Sequence, residues 1–251
     1  MTTALQEAWL VLQDKQAFFD GITGKIKAIR LAPAQMLIIA ACFFAYGLVM
    51  GSYNSLGQAL LSGVKLWVLL FLTLLICFPS FYIVQMILGF RIPLLQLLVI
   101  LLGGFVTTGA IVLAFAPIVL FFQLSGDNYR FLQLLHVAIF AFGGFFGMRV
   151  ILEALKHSLD EAQVYPKLGL HVFRIWAIIF AFVGLQLSWN LRPFIGSKDM
   201  PFELFRKETQ GNVYSTLLGN LGHLLNNGGG QTEDRKQNTE EEAAPEVQRR
   251  D

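Results

Sequence analysis

Between Pro33 and Met148 the only charged residues are Lys65, Arg91, Asp127 and Arg130. A water-facing fold cannot be built from such a stretch, because a globular surface needs polar side chains and a soluble domain carries roughly a quarter charged residues. Here 14% of the chain is charged and 55% is hydrophobic. Lipid as the outer solvent removes the requirement, provided that every backbone polar group is satisfied within a helix. The sequence therefore predicts an all-α polytopic membrane helical bundle of about five transmembrane helices, flanked by an amphipathic N-terminal helix and a disordered C-terminal tail.

Residues 1–32 repeat Leu5, Trp9, Leu12, Phe19, Ile22, Ile26 and Ile29 at near-helical spacing, with Lys15, Lys25, Lys27 and Arg30 on the polar side. That pattern predicts a helix in the membrane interface, interrupted near Gly21 and Gly24; packing on the protein itself would produce the same stripe. No short apolar core with a small-residue cleavage site follows Met1, so a cleaved signal is not expected. Residues 33–192 form the transmembrane domain, with spans near 34–50, 64–88, 94–123, 131–152 and 170–190. Pro79 should kink the second span, and the third, longer than needed, should tilt, kink at Pro117 or leave the membrane near its end. Gly103, Gly104 and Gly109 thin one face of span three, and Gly143-x-x-x-Gly147 in span four is a helix-packing pattern. Residues 193–227 are a membrane-proximal segment in which Val213, Leu217, Leu221 and Leu224 suggest a short amphipathic helix. Residues 228–251 are too polar and charged to bury a core and should be a disordered tail.

Three groups of residues are candidates for function. Arg149 and Glu153 lie four apart near the end of span four, and Arg174 lies near the start of span five. Together they could form an intramembrane polar network, read first as a salt bridge fixing two helices and second as an ion path. Pro79 with Gln85, and Pro117 with Gln123, share one spacing in adjacent spans. They are the residues a transport pathway would use, although chance explains the echo as well. The densest local signal is Trp189, Arg192, Pro193, Phe194 and Gly196, followed by Phe202, Phe205 and Arg206. It reads as a membrane-exit cap or as a docking patch for a protein partner or lipid headgroup.

The remaining chemistry is sparse. Cys42 and Cys77 sit in apolar runs without metal-ligand spacing, and the four histidines show no local metal pattern. No nucleophile elbow, phosphate loop or dinucleotide fingerprint is present. A net charge of +2 without a basic stripe gives no reason to expect nucleic acid. The expectation is a non-enzymatic membrane protein with no catalytic residue, cofactor or metal, whose partners are membrane lipid and a protein partner or a second copy of itself. A transporter or channel subunit is the alternative. Lys25, Lys27, Arg30, Arg91, Arg149, Lys156, Lys167 and Arg174 slightly outnumber the basic residues of the opposite side, which predicts a cytoplasmic N-terminus.

The ending Trp189-x-Leu191-Arg192-Pro193-Phe194-x-Gly196, then Pro201-Phe202-x-x-Phe205-Arg206, resembles that of an uncharacterised group of bacterial multi-span inner-membrane proteins over residues 185–215. This resemblance implies a bacterial plasma membrane. The five-span plan and glycine-rich apolar texture are also similar to the Yip family, which implies a role in membrane trafficking or organisation. Neither resemblance assigns a role to any residue.

Overall fold

A computed structural model describes residues 2–22, 25–87, 89, 92–125, 129–161, 166–191 and 194. They belong to one compact unit, Met1–Thr209, and the second unit, Gln210–Asp251, lies outside the described residues. Among the described residues eight helices follow in order: α1 (Thr2–Gln13), α2 (Lys15–Ile22), α3 (Lys25–Gly51), α4 (Leu56–Ile87), α5 (Leu94–Ala114), α6 (Ala116–Ser125), α7 (Tyr129–Glu161) and α8 (Pro166–Asn190). Five stretches are long and apolar enough to cross a membrane: Ile29–Gly51, Leu56–Ile87, Leu94–Ser125, Tyr129–Ser158 and His171–Asn190. The protein is thus an all-α, multi-pass membrane bundle. The membrane-proximal segment 193–227, Phe194 apart, and the tail 228–251 fall outside the described residues.

Helix α5 is the centre. Leu97, Val99, Ile100, Leu101, Leu102 and Val106 are all buried to within 2%, and α3 and α7 pack along its two sides. Helix α4 packs on α3, and α8 lies against α4 and α7. The closest approaches are made by glycine, because lipid tails offer no hydrophobic drive between helices and packing must come from close contact. A methyl on Gly147 would collide with the Thr108 hydroxyl and stand 2.6 Å from the Gly104 carbonyl oxygen; one on Gly104 would collide with Ile151. The α3–α4 hairpin uses the same device. Methyls on Gly47 and Gly51 would stand 2.6 Å from Gly63 Cα and Ala59 Cα respectively.

The prolines act differently from one another. The third span breaks at Phe115, between α5 and α6, just before Pro117. Proline has no N–H for the carbonyl four residues back and its ring crowds that carbonyl, so the ladder yields one turn upstream. Pro79 lies within α4, which is continuous from Leu56 to Ile87. Pro33 also lies within a helix, so the first span begins before it rather than after it. Both Pro33 and Ile29, whose carbonyl loses its partner, are exposed, and water or headgroups near the membrane edge can satisfy that carbonyl.

The leader breaks at Asp14, whose Oδ1 accepts a hydrogen bond from the Ala17 N–H at 3.1 Å and caps α2. Gly21, expected to interrupt the leader, lies inside α2, and residues 23–24 fall outside the described ones. Of the leader's apolar stripe Phe19 is buried and Leu5 and Leu12 pack partly against the core, while Ala8, Val11 and Phe18, outside the stripe, are buried as well. The Phe18 ring occupies the space in front of Gly103. Trp9 and Ile29 remain exposed.

The helices carry their own depth marks. On α7, exposed Arg130 and Arg149 are separated by about 28 Å at ~1.5 Å per residue, close to the ~30 Å hydrocarbon core. Gln35 on α3 meets Val99 on α5, and Gly104 on α5 meets Gly147 on α7. Ile38, Leu102 and Arg149 therefore lie at about one level.

Candidate functional site

Polar side chains inside a bundle must find partners within it, so they mark where structure or function is concentrated. Apart from Thr73, Thr107 and Thr108, whose hydroxyls bond back to carbonyls of their own helices, those among the described residues lie in two layers on either side of an apolar middle. The layer far from the N-terminus contains Tyr46, Gln58, Ser62, Lys65 and His136, none more than 5% exposed. The Tyr46 hydroxyl is 2.7 Å from His136 Nδ1, with the two rings edge to face at 5.6 Å. If the hydroxyl donates to Nδ1, the imidazole proton resides on Nε2. That atom is buried without a hydrogen-bond partner among the described residues.

Gln58, Ser62 and Lys65 follow at i, i+4 and i+7 on α4, so they share one buried face. Ser55 caps the start of this helix, its Oγ accepting from the Gln58 N–H at 3.2 Å. The Ser62 hydroxyl donates to the Phe194 carbonyl at 2.5 Å, which ties the chain just after α8 to α4. Lys65 stands out as an intramembrane cation that a sequence reading places merely among the flanking charges. The signal that would have found its buried face is the polar i, i+4, i+7 run itself.

The layer near the N-terminus contains Gln35, Gln85 and an ion-pair chain. Gln35 Nε2 donates to the Val99 carbonyl at 3.3 Å. Gln85 is 1% exposed, and its amide has no partner among the described residues. Arg149 and Glu153 pair across one helical turn at 4.0 Å, and Glu153 also meets Lys15 of α2 at 3.2 Å. Arg174 is not brought to this cluster and makes no ion pair among the described residues. The reason is the rotation of α8. Phe173, Trp176 and Ala177 are its buried face, with the Trp176 indole N–H donating to the Cys77 carbonyl at 2.9 Å. Arg174 points outward together with Ile175, Ile178 and Phe182. Long-range packing of the leader supplies the third charge.

The residues proposed for a pathway are not gathered either. Gln123, near the end of α6, donates through Nε2 to the Val49 carbonyl at 3.0 Å and approaches the Ser52 hydroxyl at 3.3 Å, fastening α6 to the end of α3. Gln85 lies near the end of α4, which runs back from the turn after α3, so the two amides occupy opposite ends of the bundle. Pro79 and Pro117 are both exposed. Of the docking patch, Trp189 is half-buried at the end of α8 and Phe194 packs against Met50, Tyr53 and Leu132. Arg192, Pro193, Gly196, Phe202, Phe205 and Arg206 fall outside the described residues. Among the described residues no three His, Cys, Asp or Glu side chains come close enough to hold a metal ion. No family model matches the chain, and neither a curated protein nor a solved structure is similar to it.

Proposed function

We propose that this integral membrane protein is a non-enzymatic organising or anchoring component of a membrane complex. The observation that supports the reading most is the closely packed band between its polar layers, in which the hydroxyls of Thr107 and Thr108 are taken up by helix carbonyls. There Leu101, Leu102, Val106 and Val112 of α5 are buried to within 2%, and the α5 and α7 backbones touch at Gly104 and Gly147. A bundle shut in this way suits a role as a fixed body that presents surfaces. The exit segment around Trp189 and Phe194 and the packed leader are the surfaces it would present. The resemblances of the ending and of the five-span plan favour a bacterial inner membrane and an organising role, and the basic residues of the leader favour a cytoplasmic N-terminus.

Purification of a tagged full-length chain from its native membranes in mild detergent tests the proposal. A stoichiometric partner is expected, and recovery of the chain alone would overturn it. The second reading, a transporter or channel subunit, draws on one observation: Lys65, His136 and Gln85 are buried polar groups inside spanning helices. Solute or ion flux in liposomes containing only the purified chain, abolished by Lys65→Ala, would establish it in place of the first.

A further inference from the structure

We propose that α1 and the outer face of α3 form a seat for one phospholipid bearing an ethanolamine headgroup. The two helices enclose an open cavity of about 660 Å³ lined by Leu5, Gln6, Glu7, Trp9, Leu10 and Gln13 of α1 and by Ile38 of α3. The volume falls in the ~300–1,000 Å³ range of small-molecule sites. Its depth follows from the register of the helices: Ile38 is level with Arg149, and an exposed arginine of a spanning helix is placed where headgroups meet acyl chains.

The lining is divided to suit such a molecule. Leu5, Leu10 and Ile38 form an apolar wall, and the exposed Leu37 and Ala41 continue it along α3 toward the middle of the bilayer. That track accommodates an acyl chain. Trp9 is 40% exposed, and an indole at this depth favours the ester and headgroup region. Glu7 is the one charged residue of the lining among the described residues. Its carboxylate accepts hydrogen bonds from a primary ammonium, while the amides of Gln6 and Gln13 can donate to the phosphate of the same headgroup.

The charge balance selects among lipids. Among the described residues no basic side chain lines the cavity, so a headgroup with net negative charge would meet Glu7 without a compensating cation from them. A choline headgroup is zwitterionic like the ethanolamine one, but its trimethylammonium has no N–H to donate, so it forgoes the bonds to the carboxylate. The ethanolamine ammonium supplies both charge and donors.

The test uses the full-length chain in vesicles holding equal amounts of ethanolamine, choline and glycerol phospholipids with identical acyl chains. Bound lipid is then read by native mass spectrometry as detergent is stripped away. One ethanolamine lipid should be retained in preference to the others, and Glu7→Gln should reduce that preference by about tenfold, the worth of a charge-assisted hydrogen bond. Filling the cavity with Leu10→Trp should remove the adduct for all headgroups. Thermal unfolding of each variant reports whether it is folded, and the preference of the unaltered chain stands as a measurement in its own right. Equal retention of the three lipids by the unaltered chain would overturn the proposal, as would preference for the anionic glycerol lipid or a preference undiminished in Glu7→Gln.

Discussion

Along α5 and α7, Gly104 and Gly147 bring two backbones together, and Thr108 spans the seam by bonding to the carbonyls of Gly104 at 3.0 Å and Gly143 at 3.3 Å. Along α4 and α8 the helices are held apart by rings. Phe81 stacks on Trp176 at 4.8 Å, Phe173 and Phe180 flank the indole, and the Trp176 N–H reaches the Cys77 carbonyl. A methyl on Gly184 of α8 would meet Thr73 of α4 only at 3.6 Å, an ordinary contact. Both seams are apolar and both lie in lipid, so hydrophobicity does not distinguish them. The difference is geometric. The first seam tolerates no added atom, whereas the second depends on large side chains filling a wide gap.

The contrast can be broken most forcefully at Gly147. Gly147→Leu places a side chain where the Thr108 hydroxyl and Gly104 carbonyl stand, and should cost about 3 kcal/mol or more. Unfolding of the purified chain by SDS titration reads this loss, and an unchanged midpoint would mean that backbone contact does not hold α5 to α7. Trp176→Ala should cost about 3 kcal/mol at the other seam by emptying the gap. Trp176→Phe should lose only about 0.6–1 kcal/mol, the worth of one hydrogen bond in a bundle. Equal losses from the two changes would assign the seam to the hydrogen bond and not to ring packing.

Tyr46→Phe probes the polar layer between α3 and α7 and should cost about 1–2 kcal/mol, because His136 Nδ1 is left buried and unbonded. His136→Leu should then cost less in that background than in the unaltered chain, a coupling that a double-mutant cycle measures. Gly184→Ala is the mildest change and should fall within about 0.5 kcal/mol of neutral. A clear loss there would show that α4 and α8 approach as closely as α5 and α7, and would erase the contrast.

The spanning helices were legible in the sequence because the bilayer fixes both their length and their composition. The glycines of spans three and four were legible as packing faces for the same reason. Gly47 and Gly51 were harder to read, since their meaning depends on Ala59 and Gly63 across a turn, and small residues are common in apolar runs. Arg149 and Glu153 could be paired from spacing alone, one turn apart. Their third partner could not: Arg174 is closer in sequence, but α8 rotates it outward to bury Phe173 and Trp176, and Lys15 arrives from the far end of the chain. Asp14 was readable in principle, as an acidic residue three before Ala17 at a helix start, yet Gly21 and Gly24 offered the more familiar break. The buried face of Gln58, Ser62 and Lys65 was hidden by its position near the end of a span, where cations ordinarily reach outward to headgroups.

The fastening of the leader has a consequence for how the chain is made. Residues Thr2–Ile22 leave the ribosome before the spanning helices, yet their seats are Gly103, where Phe18 rests, and Glu153, which holds Lys15. The first seat exists only after three further hydrophobic segments have been synthesised, and the second only after four. Until then these helices must wait at the lipid–water boundary, and there a two-faced helix is stable without a protein surface to cover it. The same stripe of residues thus serves twice, first as a mooring during biosynthesis and then as the last piece to settle against the finished bundle.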